Sequence, residues 1–440
     1  MPESIMQNKL VELFEFDPFE DIFDEIEGFM PTISNITDES SRQNLTDILE
    51  NEVEKEEMVC TFELLANILE NSSTVEDVAA NVDTTYQQVM ETYEGNIKVI
   101  FEQTKPFEKT IRSLNLLYEN AGGEADVFIL PVNAAKFADS ANPKHFDLMR
   151  KHLKQKFYAW KMEDSPFYMT YIGDIGSKSA MDKMAEIAFE TRALAIVDTK
   201  ELSSVKAIID HAKRLQIKGI SAKLGHLVIP GSWVYALGAK DVQFVEDDQG
   251  KLRRIEKKMA VPTACSLVGK LLDVRPGVYI SGLEGDAIIG IDGVKLNYEM
   301  ERIDSKELEK VGLLQIEAHG HIQGSTTAND SNNADLRKFP KVDTANALLK
   351  DLIQFCNNKA FSKWGEKQKK GFQREIEIYL NRRMKQELIE GYEINNISYD
   401  PNEENVDIDL TVFFFEVADE FDINLHGPQA GIDLKSDSNS

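Results

Sequence analysis

Apolar positions in the first part of the chain, to about Glu119, recur at helical spacing and show no strand alternation. They predict helices over 44–69, 75–101 and 107–118, with Ser73-Thr74-Val75-Glu76 as a capping box opening the second. Ahead of them lie two short amphipathic stripes. Leu10, Leu13 and Phe14 share one helical face; Pro18 restarts the chain; Phe19, Ile22, Phe23 and Ile26 form the second stripe, and Gly28 stops it. Helices this short are not stable alone, so they need a partner surface, either the chain's own core or another protein.

From Glu124 the texture changes. Strands are predicted over 126–132 (DVFILPV), 167–172, 192–197 and 224–229, alternating with helices over 179–190 and 204–217, the second closed by Gly219. This order argues for a mixed sheet with helices on its faces. Residues 253–340 hold many short segments split by Gly, Pro and Asn, and read as loops and short strands decorating that domain.

The last part has its own pattern. Asp343 caps a predicted helix running to about Cys356, and a long helix over 363–390 ends at Gly391. Strands follow over 392–399, 406–416 and 420–425, with a turn at 400–405 and a disordered tail after Gly427. Val406, Ile408, Leu410 and Val412 share one face of the middle strand; Asp407, Asp409 and Thr411 share the other. Phe413, Phe414 and Phe415 then make both faces apolar, and Phe421, Ile423 and Leu425 repeat the one-sided pattern. Two or three such strands make a marginal sheet on their own. The long helix can cover one face, while the open edges invite a strand from another chain. An ordinary α+β domain with edges blunted by Asp and Glu fits the same residues.

The chain of 440 residues carries 49 basic and 76 acidic side chains, a net charge of −27. Residues 1–70 hold 19 acidic and 3 basic groups, and residues 391–440 hold 12 and 1, so two acidic ends flank a balanced middle. That field repels nucleic acid and anionic membrane surfaces. No apolar run is long enough to span a membrane, and the N-terminus lacks the basic start and apolar stretch of a signal peptide. Cys60, Cys265 and Cys356 are far apart in apolar surroundings and read as buried thiols of a reducing compartment, the cytoplasm.

Three segments could carry chemistry. Gly173-Asp174-Ile175-Gly176-Ser177-Lys178 follows a strand and opens a helix, as a phosphate loop would, and 193–198 (ALAIVD) offers an acidic strand end for magnesium. A phosphate loop, however, needs four residues between its glycines and Lys directly after the second. His319-Gly320-His321 supplies two imidazoles without the further ligands of a zinc site. Residues 285–293 (GDAIIGIDG) lack the dense oxygen ligands of a calcium loop and read as a turn-rich surface hairpin. No catalytic, cofactor or metal residues are assigned.

A resemblance adds to this. The stretch VDTANALLKDLIQFCNNKAF through FQREIEIYLNRRMKQELIEGYEINNISYDPNEENVDIDLTVFFFEVADEFDINL resembles the C-terminal domain of contractile tail sheath proteins, with helix, aromatic loop, long helix and strands in the same order. Val294-Lys295-Leu296-Asn297 to GLLQIEAHGHIQG is similar to the family's segment before its domain boundary. The chain looks most like the large sheath subunit of type VI secretion systems (TssC-like), in a divergent Bacteroidetes-type form. The resemblance implies a mixed α/β and α+β fold. Its divisions would be a helical acidic arm over 1–120, a central α/β domain over 121–340 decorated at about 253–340, an assembly domain over 341–427 and a tail over 428–440.

It implies a structural subunit and not an enzyme, pairing with a small sheath subunit (TssB-like) and with copies of itself. Such subunits wrap an inner tube (Hcp-like) on a baseplate, and their contraction delivers the tube. Val406, Ile408, Leu410, Val412, Phe413, Phe415, Phe421, Ile423 and Leu425 become candidates for strands shared between subunits. Phe19, Ile22, Phe23 and Ile26 become candidates for a handle taken by a disassembling AAA+ ATPase. A sheath protein of a phage tail or related injection particle, and a phosphate-loop-like ATPase, are the alternatives.

Overall fold

The structure is a computed structural model, and it describes residues 52–123, 125–139, 141–157, 167–246, 252–274, 276–282, 287–298, 305–359, 364–400, 405–416, 421–425 and 434–438. The stripes at Leu10–Phe14 and Phe19–Ile26 lie outside them. The chain divides into two units, residues 1–97 and 98–440.

In the first unit, α1 (Glu52–Glu70) turns into the start of α2 (Val75–Asn120). Thr74 and Asp77 cap α2 reciprocally: the Asp77 N–H donates to Thr74 Oγ1 (3.1 Å) and the Thr74 N–H to Asp77 Oδ2 (3.0 Å). The capping box therefore sits one residue later than the sequence suggested, with Asp in place of Glu. Cys60 is exposed, not buried as expected. In the second unit α2 continues through Pro106, where two helices had been expected. Proline removes one backbone bond, but turns on both sides hold their own bonds and the far end is anchored by buried Leu116 and Leu117.

Residues 126–132 are not a strand. Pro131 lacks an N–H, and the segment instead lays Leu130 and Val132 against the core. Two helices follow, α3 (Ala134–Ala138) and α4 (Lys144–Phe157). The central sheet is parallel, with β1 (Tyr168–Asp174), β2 (Leu194–Asp198) and β3 (Leu227–Val228) adjacent in that order. Between them run α5 (Lys178–Thr191) and α6 (Val205–Leu215). The left-handed Gln216 ends α6, not Gly219. A 3-10 turn takes up the first half of the strand expected over 224–229, leaving only Leu227–Val228 as β3.

Residues 253–340 are more ordered than their composition suggested. β4 (Val234–Glu246) and β5 (Leu252–Val261) form a long antiparallel hairpin, followed by α7 (Ala264–Asp273) and by β6 (Ile291–Val294), which pairs with β4. A short α8 (Ser305–Lys310) and a ladder of β7 (Gln315–Ile316) and β8 (Ile322–Gln323) close the region. Gly269 lets α7 touch α2: a Cβ there would lie 2.4 Å from the Leu117 carbonyl.

β2 is buried on both faces. Leu194 and Ile196 pack with α7 residues Leu267 and Leu271, while Ala195 and Val197 pack with α5 and α6 residues Ile187 and Ile208. That is the three-layer arrangement expected of a parallel sheet read as one continuous apolar run.

The last part begins with α9 (Phe339–Lys359). It starts four residues ahead of Asp343, which is a buried residue inside the helix and not its cap. Then come α10 (Glu366–Lys385), shorter than expected, β9 (Gly391–Asp400) and β10 (Asn405–Phe413) as an antiparallel pair, and β11 (Phe421–Leu425). β11 pairs with β12 (Leu434–Ser438), so part of the tail expected to be disordered is a strand. The chain is thus a mixed helix-and-sheet fold with several small sheets.

Candidate assembly surface

The segments that could have carried chemistry are occupied by structural bonds. The Asp174 carboxylate accepts from the Gly176 N–H (2.7 Å), Gly176 takes a φ of 77°, and Ser177 caps α5 by accepting from the Ala180 N–H. Lys178 points away from any cradle, donating to the Ile217 carbonyl (2.9 Å) and pairing with Asp182 (2.8 Å). Asp198, the acidic strand end, accepts from the N–H groups of Thr263 (3.0 Å) and Ala264 (2.9 Å) at the start of α7. Burial pushes its carboxyl up to about 7 against those two bonds. His319 and His321 flank a tight turn, with the Glu317 N–H donating to the His321 carbonyl. Residues 287–294 are no loose hairpin: Ile288 is buried and Ile289 exchanges two bonds with the Asn120 amide. Among the described residues no cluster of His, Cys, Asp and Glu could hold a metal ion.

The C-terminal strands form a thin layer on α9 and α10. Phe372, Ile376 and Leu380 of α10 meet Leu348 of α9, with Ile389 and Ile397 completing a small buried core. Phe355 and Trp364 stack around Phe372 at centroid distances of 5.1 and 5.6 Å. Val406, Ile408, Leu410, Val412 and Phe414 all lie on this inner face, partly buried. The candidates Val406, Ile408, Leu410 and Val412 therefore face their own helices. Phe413 and Phe415 do not: both are exposed, 44% and 40%. Phe421, Ile423 and Leu425 lie in β11, whose backbone pairs with β12 and not with β10.

A bulge sets the register. Asp409 pairs with Asn396 and Leu410 with Ile394, leaving Asn395 without an opposite number. The extra residue brings Ile394 and Ile397, three apart in sequence, to the same inner face. The Asn395 amide then bridges to Asp409 (3.3 Å) and Thr411 (2.9 Å) on the outer face. Among the described residues the β9–β10 sheet has two strands, so each strand has one open edge.

Polar groups fasten this layer to the body. Lys341, only 3% exposed, reaches Asp335 (2.9 Å) and Glu416 (2.8 Å), tying the end of β10 to the start of α9. The Tyr168 hydroxyl of β1 donates to Asp343 (3.1 Å), whose carboxyl burial raises to about 6. Lys350 sits over the Phe167 ring (4.4 Å), and burial lowers its ammonium to about 8. Tyr379 and Arg383 of α10 both donate to Asp351 of α9, at 2.5 and 2.6 Å.

Residues 99–323 match the family described as type VI secretion system TssC/VipB, central domain, and residues 340–439 match the TssC/VipB-like C-terminal domain. The chain belongs to the TssC/VipB family. This is the sheath family that the C-terminal segment resembled. The TssC/VipB central match spans the three-layer body, and the C-terminal match spans α9 through β12. Among solved structures, a chain of the anti-feeding prophage baseplate is similar at a TM-score of 0.48 and 13% identity, over 72% of this chain and 80% of that one. A chain of the PVC sheath complex in the contracted state is similar at 0.43 and 13%, over 62% and 72%. The assignment to TssC/VipB rests on the family match. No curated protein matches.

Sequence reasoning missed the bulge, the Lys341 tether and the buried polar face of α9. The pairing of Ile394 with Ile397 at a spacing of three, inside a strand, was the available signal for the first.

Proposed function

We propose that the chain is the large subunit of a type VI contractile sheath. It pairs with a small sheath subunit and polymerises helically around an inner tube on a baseplate. Contraction, a switch between two packings of the same subunits, drives the tube and its effectors outward. The observation that carries the reading is a sheet that among the described residues has two strands and both edges open, half-covered by α10, within a region matching the TssC/VipB-like C-terminal domain. Open edges of this kind accept strands from neighbours, and head-to-tail contacts generate open helices. Among the described residues no helix is long and apolar enough to cross a membrane, in keeping with assembly in the cytoplasm.

Co-expression with the neighbouring gene products, followed by negative-stain electron microscopy, tests the reading. Tubules or cogwheel rings are expected; their absence overturns it. We also propose that Phe19, Ile22, Phe23 and Ile26 form the ATPase handle. Deleting residues 1–30 then spares assembly and blocks recycling, and loss of assembly refutes it.

A further inference from the structure

In a chain of net charge −27, α10 is a basic element, with seven basic and three acidic side chains. Its cations are not scattered. Lys367, Lys370, Arg374, Arg382 and Lys385 fall within one helical stripe and are exposed, with Ile378, 53% exposed, at its centre. The stripe lies opposite Phe372, Ile376 and Leu380, which are buried towards the sheet. Among the described residues none of these five cations is in an ion pair: Glu375 pairs with Lys359, and Asp351 with Arg383.

The other side of the same layer has the opposite sign. The outer face of the β9–β10 sheet presents Glu393, Asp407 and Asp409, all exposed, beside Phe413, and its described residues include no cation. Residues 391–440 as a whole carry twelve acidic groups and one basic.

We propose that the cationic ridge of α10 docks on the anionic outer sheet face of a second copy of this chain. The two surfaces lie on opposite sides of one helix-on-sheet layer, so each copy offers both halves of the contact. A patch that meets its complement on the far side of the next copy makes a heterologous contact, which propagates as an open stack. The charges steer and orient the approach, and Ile378 and Phe413 supply apolar contact. A nucleic acid would also suit a basic ridge, but it would have to approach a strongly anionic protein. The occupant of the ridge rests on the polymerising role proposed above.

The test uses two full-length variants, R374E/R382E/K385E and D407K/D409K, with R374Q/R382Q/K385Q as a neutral control. Their thermal unfolding midpoints should stay close to that of the wild type, because the changed residues are exposed and the Asn395 amide keeps its shorter bond to Thr411 when Asp409 is replaced. Each charge-reversed variant alone now opposes like charges. An equimolar mixture restores complementarity at both contacts, so the two variants alternate in an open stack. Sedimentation at about 0.1 M salt should show the mixture associating roughly tenfold or more tightly than either variant alone, with the gain lost at about 1 M salt, where screening shortens to about 3 Å. The neutral control should self-associate more weakly than the wild type.

A mixture no tighter than its components overturns the proposal, as does a ridge-reversed chain that self-associates like the wild type. Ridge reversal that leaves self-association intact but releases an acidic inner-tube protein overturns it too, by assigning the ridge to the tube. If the mixture fails while the co-expressed wild type still builds tubules, this contact falls and the sheath reading stands; if tubules are also absent, both fall.

Discussion

The central body and the C-terminal layer bury their strands very differently. In β2 every residue from Leu194 to Asp198 is inaccessible to solvent, because helices cover both faces of the sheet. In β10 no residue reaches that state; the inner positions are half-buried, and Asp407, Asp409 and Phe413 on the outer face are exposed. The body satisfies its own strands with α5, α6, α7 and α9. Among the described residues the C-terminal layer has helices on one face, two open edges and a charged outer face. The first region can fold as a finished object, whereas the second presents what an assembling subunit needs to present.

Substitutions can break that contrast. Ile196→Ala in β2 should cost ~2–5 kcal/mol, since both walls of the cavity are rigid. Urea unfolding would show it; a loss under about 1 kcal/mol would mean the body is not the closed core described.

The next effect is a pH dependence. Asp198 is buried with its carboxyl raised to about 7, against about 3.9 in an unfolded chain. A raised acid favours the protonated folded form. Its contribution is therefore greatest below about pH 4 and is lost as pH rises to about 7. Asp198→Asn removes this titration, so the stability of the variant relative to the wild type should rise across that window by on the order of 4 kcal/mol. Comparing the two proteins at each pH cancels the opposite trend of His226, whose ring burial lowers to about 4. A flat difference would place Asp198 in contact with water.

Gly269→Ala should cost about 2 kcal/mol by forcing α7 away from the Leu117 carbonyl, read as a lower melting midpoint. In the thin layer the effects on the isolated chain shrink. Leu410→Ala should cost about 1 kcal/mol, as befits a half-buried side chain. Deleting Asn395 should cost less still, about 0.5 kcal/mol, because it removes the bulge residue and lets Ile394 and Ile397 alternate regularly. A deletion that unfolds the layer would contradict the register.

Much of the body was legible in the sequence because its signals are local. The run 193–198 is apolar without a break, and Ser177 and Ser204 cap their helices where their positions suggest. Segments whose neighbours decide them were misread. Residues 126–132 have strand composition but no partner strand. The hairpin 234–261 was missed because Arg253 to Lys258 is exposed on both faces and leaves no period of two. α7 was missed because burial on all sides erases an amphipathic stripe. In the assembly layer the inner face of β10 was plain, but the bulge hid the matching face of β9. The basic ridge was masked by a balanced count over the middle of the chain.

The most direct test of the central claim is a chain ending before Asp419, co-expressed and imaged beside the full-length protein. The account predicts an unchanged cooperative melt of the body and no tubules. Tubules from the shortened chain, at the yield of the full-length protein, would contradict it.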